Sequence, residues 1–204
     1  MTAMTTDTAG NGILERLKTE TLPEHRRVEQ TFRILDPALT RADYRVWMER
    51  LYGLHAGFEQ ALDACAVTLD IDWNERRKSR WLREDLLHLG RTQAEIDRLP
   101  VCQPPQGLDL PDRAFGALYV LEGSTLGGRM IGQQLEKRHG LTAGAGASFF
   151  NAYGELLMPR WRSFRERLQC AATDPDTEQR MIDAARETFA TFDRWLAGAA
   201  ETLT

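Results

Sequence analysis

The sequence predicts an all-α fold in a single domain. Apolar residues recur at three- and four-residue steps in segment after segment, and no run alternates with period two. The stretch from 111 to 139 keeps a helical pattern up to a closing glycine, Gly140. A chain of 204 residues makes one domain, or at most two small ones. At that size roughly 70% of the unfolded surface is buried on folding, so no disulfide or metal staple is required.

Taken in order, residues 1–10 read as a disordered polar tail and 11–204 as the folded domain. Asn11 is placed to cap a first helix carrying Ile13, Leu14 and Leu17, and Pro23 either kinks that helix or restarts it. Thr40 caps a second, with Tyr44, Trp47, Met48, Leu51, His55, Phe58 and Leu62 on one stripe. "RKSRWLREDLLHLG" forms a third, stopped at Gly90, and Thr92 opens a short fourth that ends before Pro100. "VCQPPQGLDLPD" is a loop, 111–139 a long helix, and "GLTAGAGA" a flexible connector. The connector is not a phosphate cradle, because Phe149 takes the third glycine position of GxGxxG and no strand precedes it. Helices near 147–170 and 176–200 follow, the last with Met181, Ile182, Ala185, Phe189, Phe192 and Trp195 on one stripe.

Composition narrows the function. A hydrophobic share of 42% and a charged share of 27% are those of a soluble globular protein. The net charge of −4 speaks against generic nucleic-acid binding. Cys65, Cys102 and Cys170 lie far apart with no CxxC pair, which suits small buried thiols in a reducing compartment and offers no zinc motif. "MTAMTTDTAGNG" has neither the basic nor the apolar region of a signal peptide, and nothing approaches 18 consecutive apolar residues. The expectation is a cytoplasmic protein with no membrane or nucleic-acid partner.

The long helix carries "LEGSTLGGRMIG", with Gly123, Gly127, Gly128 and Gly132 in its interior. Each interior glycine costs roughly 1 kcal/mol against alanine. Gly116, Gly123 and Gly127 fall within about 60° of one another at 100° per residue, with Gly128 beside them. Either another helix packs closely there or a flat ligand lies on bare backbone. A transmembrane GxxxG dimer is excluded, since Arg113, Glu122 and Arg129 interrupt the segment. Of the four histidines, His88 and His139 precede helix-stopping glycines and read as partners of the helix dipole. His55 lies on an apolar stripe, where a buried, hydrogen-bonded histidine is the usual outcome. His25 differs, because "HRRVE" sets Glu29 one turn away on the same face, where it would hold the second ring nitrogen of a ligating imidazole. A di-iron carboxylate bundle needs two ExxH motifs; only Glu136–His139 matches, with Asp85–His88 a loose variant. No GxSxG, P-loop or HExxH stretch occurs.

"LYVLEGSTLGG" on a long helix, together with "LPEHRRVE" near the N-terminus, resembles the heme oxygenase family. The likeness is greatest to its soluble bacterial branch that accompanies bacteriophytochromes. It spans about residues 13 to 196 and includes "RLYGLHAGFEQAL", "RWLREDLLHLG" and "FFNAYGELLMPRW". The resemblance implies a helical bundle with heme b between a proximal helix and a glycine-kinked distal helix. His25 matches the axial iron ligand and Glu29 its hydrogen-bonding partner. Gly123, Gly127 and Gly128 match the distal glycines that let heme and dioxygen approach the backbone. Ser124 stands where mammalian-type members carry an aspartate that orders a water network, a role His55 and nearby waters are expected to share. Lys18 and Tyr119 match contacts to the heme propionates.

The same resemblance implies heme as both substrate and cofactor, with dioxygen and an external electron donor such as a ferredoxin- or flavodoxin-type reductase. The products are biliverdin (IXα expected), carbon monoxide and iron, and the biliverdin would supply a bacteriophytochrome. Two rivals use the same architecture: a non-catalytic heme carrier or sensor, and a thiaminase-like enzyme, which needs a nucleophilic cysteine.

Overall fold

The computed structural model describes residues 12–200. The tail expected over 1–10 and the Asn11 cap lie outside the described residues. The helices are α1 (Gly12–Glu20), α2 (Leu22–Thr31), α3 (Arg41–Leu62), α4 (Trp73–Arg76), α5 (Ser79–His88), α6 (Gln93–Ile96), α7 (Pro111–His139), α8 (Leu157–Ala171) and α9 (Pro175–Ala200). The bundle is all-α, as expected.

Local chemistry sets most of the boundaries. Pro23 restarts the chain: α1 stops at Glu20, and α2 begins one residue before the proline, which sits in its first turn and loses no hydrogen bond there. Thr40 Oγ1 accepts from the Asp43 amide at 3.1 Å, while the Asp43 carboxylate accepts from the Thr40 amide at 2.9 Å. Thr92 and Glu95 repeat this reciprocal cap on α6. At the far end of α7, Gly140 takes φ 65°, a left-handed conformation that stops the helix.

Three expectations need correction. The helix expected near 147–170 begins only at Leu157, and the chain before it forms 3-10 turns at Phe149–Asn151 and Gly154–Leu156. The Asp85 carboxylate on α5 accepts from the Ser148 and Phe149 amides at 2.7 and 2.8 Å, and Gly154 has φ 50°, so an α-helix cannot run through. "GLTAGAGA" is a tied turn and not a loose connector. The Thr142 carbonyl accepts from Ala145 and Ala147, and Tyr44 donates its hydroxyl to the Gly146 carbonyl at 2.7 Å. Cys65 and Cys102 are buried, but Cys170 is exposed.

The core runs through α3, α5, α7, α8 and α9, with Tyr44, Trp47, Phe58, Phe164 and Met181 all buried. α7 packs most extensively on α9, which also covers α1, α2 and α3. That seam is backbone against backbone. A Cβ added at Gly116 would stand 2.1 Å from the Met181 carbonyl oxygen and 2.9 Å from the Ala184 Cβ. Gly53 and Gly57 of α3 meet the carbonyls of Pro100 and Cys102 just as closely. Among the described residues no helix is long and apolar enough to cross a membrane.

Candidate functional site

The glycines of α7 divide by what lies opposite them. Gly116 is a packing glycine. Gly128 and Gly132 are tight, with would-be Cβ atoms 3.1 Å from the Phe150 carbonyl oxygen and 2.9 Å from the Asn151 amide nitrogen. Gly123 would meet only the Trp161 ring edge, at an ordinary 3.8 Å, and Gly127 would meet nothing within 4 Å. Protein packing therefore explains Gly116 and leaves Gly123 and Gly127 unexplained. A helix that omits two side chains where nothing of its own presses against it keeps a space that a Cβ would fill.

That space belongs to a wider apolar face. Tyr119, Gly123, Leu126, Gly127 and Met130 lie on an arc of about 100°. α9 covers this side of α7 at Gly116, whereas Leu126 and Met130 are 40% and 59% exposed. Large apolar side chains flanking bare backbone on an uncovered face suit a broad, flat, mostly apolar ligand.

The proximal candidates sit on α2. The His25 Nδ1 lies 3.6 Å from a Glu29 carboxylate oxygen, and the two side chains are 51% and 64% exposed. The imidazole stands edge-on to Phe189 of α9, with centroids 5.6 Å apart and planes at 87°. One nitrogen thus faces a carboxylate and the ring packs perpendicular to an aromatic neighbour, which leaves Nε2 as the nitrogen for a ligand. Such an imidazole, with a carboxylate 3.6 Å from its second nitrogen, is suited to an iron.

His55 of α3 is fully buried, edge-on to Phe149 and to Phe192, one turn along α9 from Phe189. The same stripe of α9 therefore touches both histidines. Burial, and secondarily the nearby Lys78 charge, push the His55 pKa well below its ordinary value, so the ring is neutral. Tyr119 is half-buried against Trp161, with its pKa raised by burial, lowered by Arg165 and raised by Glu15. Lys18 is exposed in the last turn of α1, one turn from Glu15. Ser124 is exposed at the rim of the open face and donates to the Leu121 carbonyl at 2.9 Å, so its oxygen lone pairs are available to water.

Sequence reasoning missed several neighbours of this site. Trp161 and Arg165 of α8 flank Tyr119 and carry no motif. Leu126 and Met130 were legible in principle, being three and seven residues beyond Gly123. The rivals fare less well. Among the described residues no cluster of His, Cys, Asp or Glu is arranged to hold a metal ion, and Asp85 is committed to backbone amides. The Cys102 thiol is pushed up to about 11 by burial against a lesser pull from Arg194, the opposite of an activated nucleophile. Cavities of about 240 Å³ (Thr125, Arg129 and 149–157) and 470 Å³ (Gly57 and 101–109) open elsewhere, and neither is lined by His25, Gly123 or Gly127. The candidate site is an open face of α7 outside both cavities.

Comparison with known proteins gives this geometry a family. The heme oxygenase family model matches residues 11–198. A heme oxygenase of Xanthomonas campestris pv. campestris (strain 8004) is 37% identical over 165 residues, 77% of this chain and 90% of that protein. Among solved structures, the NO- and CO-bound heme oxygenase from Neisseria meningitidis superposes with a TM-score of 0.77 at 22% identity, covering 92% of this chain and 91% of that one. Heme oxygenase from Leptospira interrogans gives 0.74 at 17% identity, with 91% and 98% covered. Heme oxygenase-1 from the cyanobacterium Synechocystis sp. PCC6803, in complex with heme, gives 0.70 at 16% identity, with 94% and 95% covered.

The split among the glycines is testable in the apoprotein. Gly116→Ala should destabilise by about 1–3 kcal/mol because two backbones must part. Gly127→Ala should stabilise by about 0.5–1 kcal/mol because it gains helix propensity without a clash. Urea denaturation of the two variants checks both signs. A second expectation concerns pH. His55 has a depressed native pKa, so below about pH 6.5 the unfolded chain binds a proton that the native chain refuses. Stability should therefore fall as pH drops from 7.5 to 5.5. His55→Gln should remove part of that slope, as denaturation midpoints at the two pH values will show.

Proposed function

The chain belongs to the heme oxygenase family of enzymes, and we propose that its site binds heme b between α2 and α7 and cleaves it oxidatively to biliverdin, carbon monoxide and iron. The observation that carries this reading is the open space at Gly123 and Gly127, on an α7 whose partner α9 also braces the exposed His25–Glu29 pair. The residues fit the group: bare backbone with Leu126 and Met130 for a flat macrocycle, and an imidazole for iron.

When bound, heme supplies an iron that takes up dioxygen and a porphyrin ring that is itself the substrate. His25 would hold the iron through Nε2. Glu29 attracts the Nδ1 proton and so keeps Nε2 unprotonated and the ring oriented. Gly123 and Gly127 would leave room for dioxygen against the backbone. Ser124 would accept from water there and so hold a water that passes protons on, without a strongly acidic side chain. His55, neutral and buried, serves as a further member of that network. Electrons come from an external donor of the ferredoxin- or flavodoxin-reductase kind. We place the reaction in the cytoplasm, with a bacteriophytochrome as acceptor of the biliverdin.

Regiochemistry follows from the edge of the ring. An apolar face grips a nearly symmetric macrocycle with little rotational preference, so the propionates must be anchored. Lys18 and Tyr119 are proposed for this, with Arg165 beside Tyr119 as a further cation, and the α-meso carbon as the one cut.

Anaerobic heme titration followed by aeration with ascorbate tests the function. The protein should give a histidine-ligated spectrum and then biliverdin; stable heme with no biliverdin would make it a carrier. His25→Ala should lose that spectrum and recover turnover only with added imidazole. An unchanged spectrum would refute the assignment. Product chromatography tests the anchors: Lys18→Ala with Tyr119→Phe should yield mixed isomers, since poses differing by about 1–2 kcal/mol become comparable. One unchanged isomer would mean that pocket shape alone orients the ring.

A further inference from the structure

The open face of α7 has an ionic back. Glu122, one residue before Gly123, is 1% exposed. Its carboxylate accepts from Arg76 Nη1 and Lys78 Nζ, each at 2.6 Å, and from the Tyr153 hydroxyl at 2.9 Å. Lys78 Nζ also donates to the Arg76 carbonyl and the Tyr153 oxygen, and Arg76 Nη2 to the Arg160 carbonyl. Burial tends to neutralise both partners, yet each outweighs it for the other: the Lys78 pKa is raised and the Glu122 pKa lowered, so both remain charged. The Tyr153 hydroxyl, pushed up to about 12 chiefly by burial, stays protonated.

Stability alone is a poor reason for this cluster. A buried ion pair is often no better than apolar side chains of similar volume, and the Arg76 Nε is buried with no partner. What distinguishes the cluster is its place. It grips α7 just before Gly123, from which point four interior glycines weaken the helix and its front face is bare. At Gly128 and Gly132 the nearest neighbours are Phe150 and Asn151 of the 3-10 turn at 149–151. Van der Waals contacts there resist separation but tolerate sliding and rotation. A carboxylate fixed by three donors, from the end of α4, the residue before α5 and the 3-10 region, tolerates neither.

We propose that Arg76, Lys78 and Tyr153, acting through Glu122, are positioning residues that set the height and rotation of the Gly123–Ser124 backbone over the bound heme. The proposal rests on the reading that heme lies on this face. None of the four is required to touch the ligand. Their effect is on how closely a small molecule on the iron meets the distal backbone.

Carbon monoxide on the ferrous heme complex is the probe, because its C–O stretching band reports that contact. The native protein should show one narrow band. Tyr153→Phe keeps all three charges and should shift or broaden it. The combined variant Arg76→Met, Lys78→Met, Glu122→Met removes every charge, so no buried ion is stranded. It should fold, keep heme affinity within about twofold, split the band, and lower kcat by about tenfold or more. A folded triple variant with the native band and native kcat, whatever its melting temperature, overturns the proposal, and so does loss of heme binding with native helicity. If the triple variant does not fold, Tyr153→Phe decides, and an unmoved band there overturns it. A native protein without a His25-dependent heme spectrum would instead remove the functional reading on which the proposal stands.

Discussion

The contact between α7 and α9 at Gly116 is the constraint on which the site depends. Because that glycine lets the Met181 carbonyl lie where a side chain would be, the two longest helices meet backbone to backbone. α9 then carries Phe189 to the edge of His25 and Phe192 to the edge of His55. One turn past Gly116 the cover gives way to Tyr119 beside Trp161 and Arg165, and two turns past it the face of α7 is open. A single close crossing thus seals the core at one end of α7 and presents bare backbone at the other.

Holding that open stretch has a structural cost. Four interior glycines forgo roughly 1 kcal/mol each of helix propensity, and the exposed Leu126 and Met130 forgo burial. The compensation comes from behind, through the Glu122 cluster and the 3-10 turn against Gly128 and Gly132, and from the flank, through the stacked Trp161 and Phe164 of α8. On the proposed reading, bound heme would cover the apolar face and supply the remainder. The surroundings of His25, the proposed ligand, are simpler, with a carboxylate one turn along the same helix and one perpendicular aromatic ring.

Much of this was legible in the sequence because much of it is local. Thr40 with Asp43 and Thr92 with Glu95 cap their helices within four residues, and His25 with Glu29 needs only helical spacing. The glycine spacing told where α7 must admit something close, but not what. Only the fold separates Gly116, pressed by α9, from Gly127, pressed by nothing. The misplaced start of α8 has a long-range cause, since Asp85 captures amides 63 and 64 residues away. The ion cluster was hidden for the same reason: Glu122 meets partners 31, 44 and 46 residues distant. Glu122 in isolation reads as a surface charge interrupting an apolar segment.

The most direct measurement is a crystal structure of the heme complex. The account predicts iron bound to His25 Nε2, with the opposite side of the macrocycle in van der Waals contact with the Cα atoms of Gly123 and Gly127. Heme bound elsewhere, or held on this face by another ligand with water filling the space at Gly127, would contradict it.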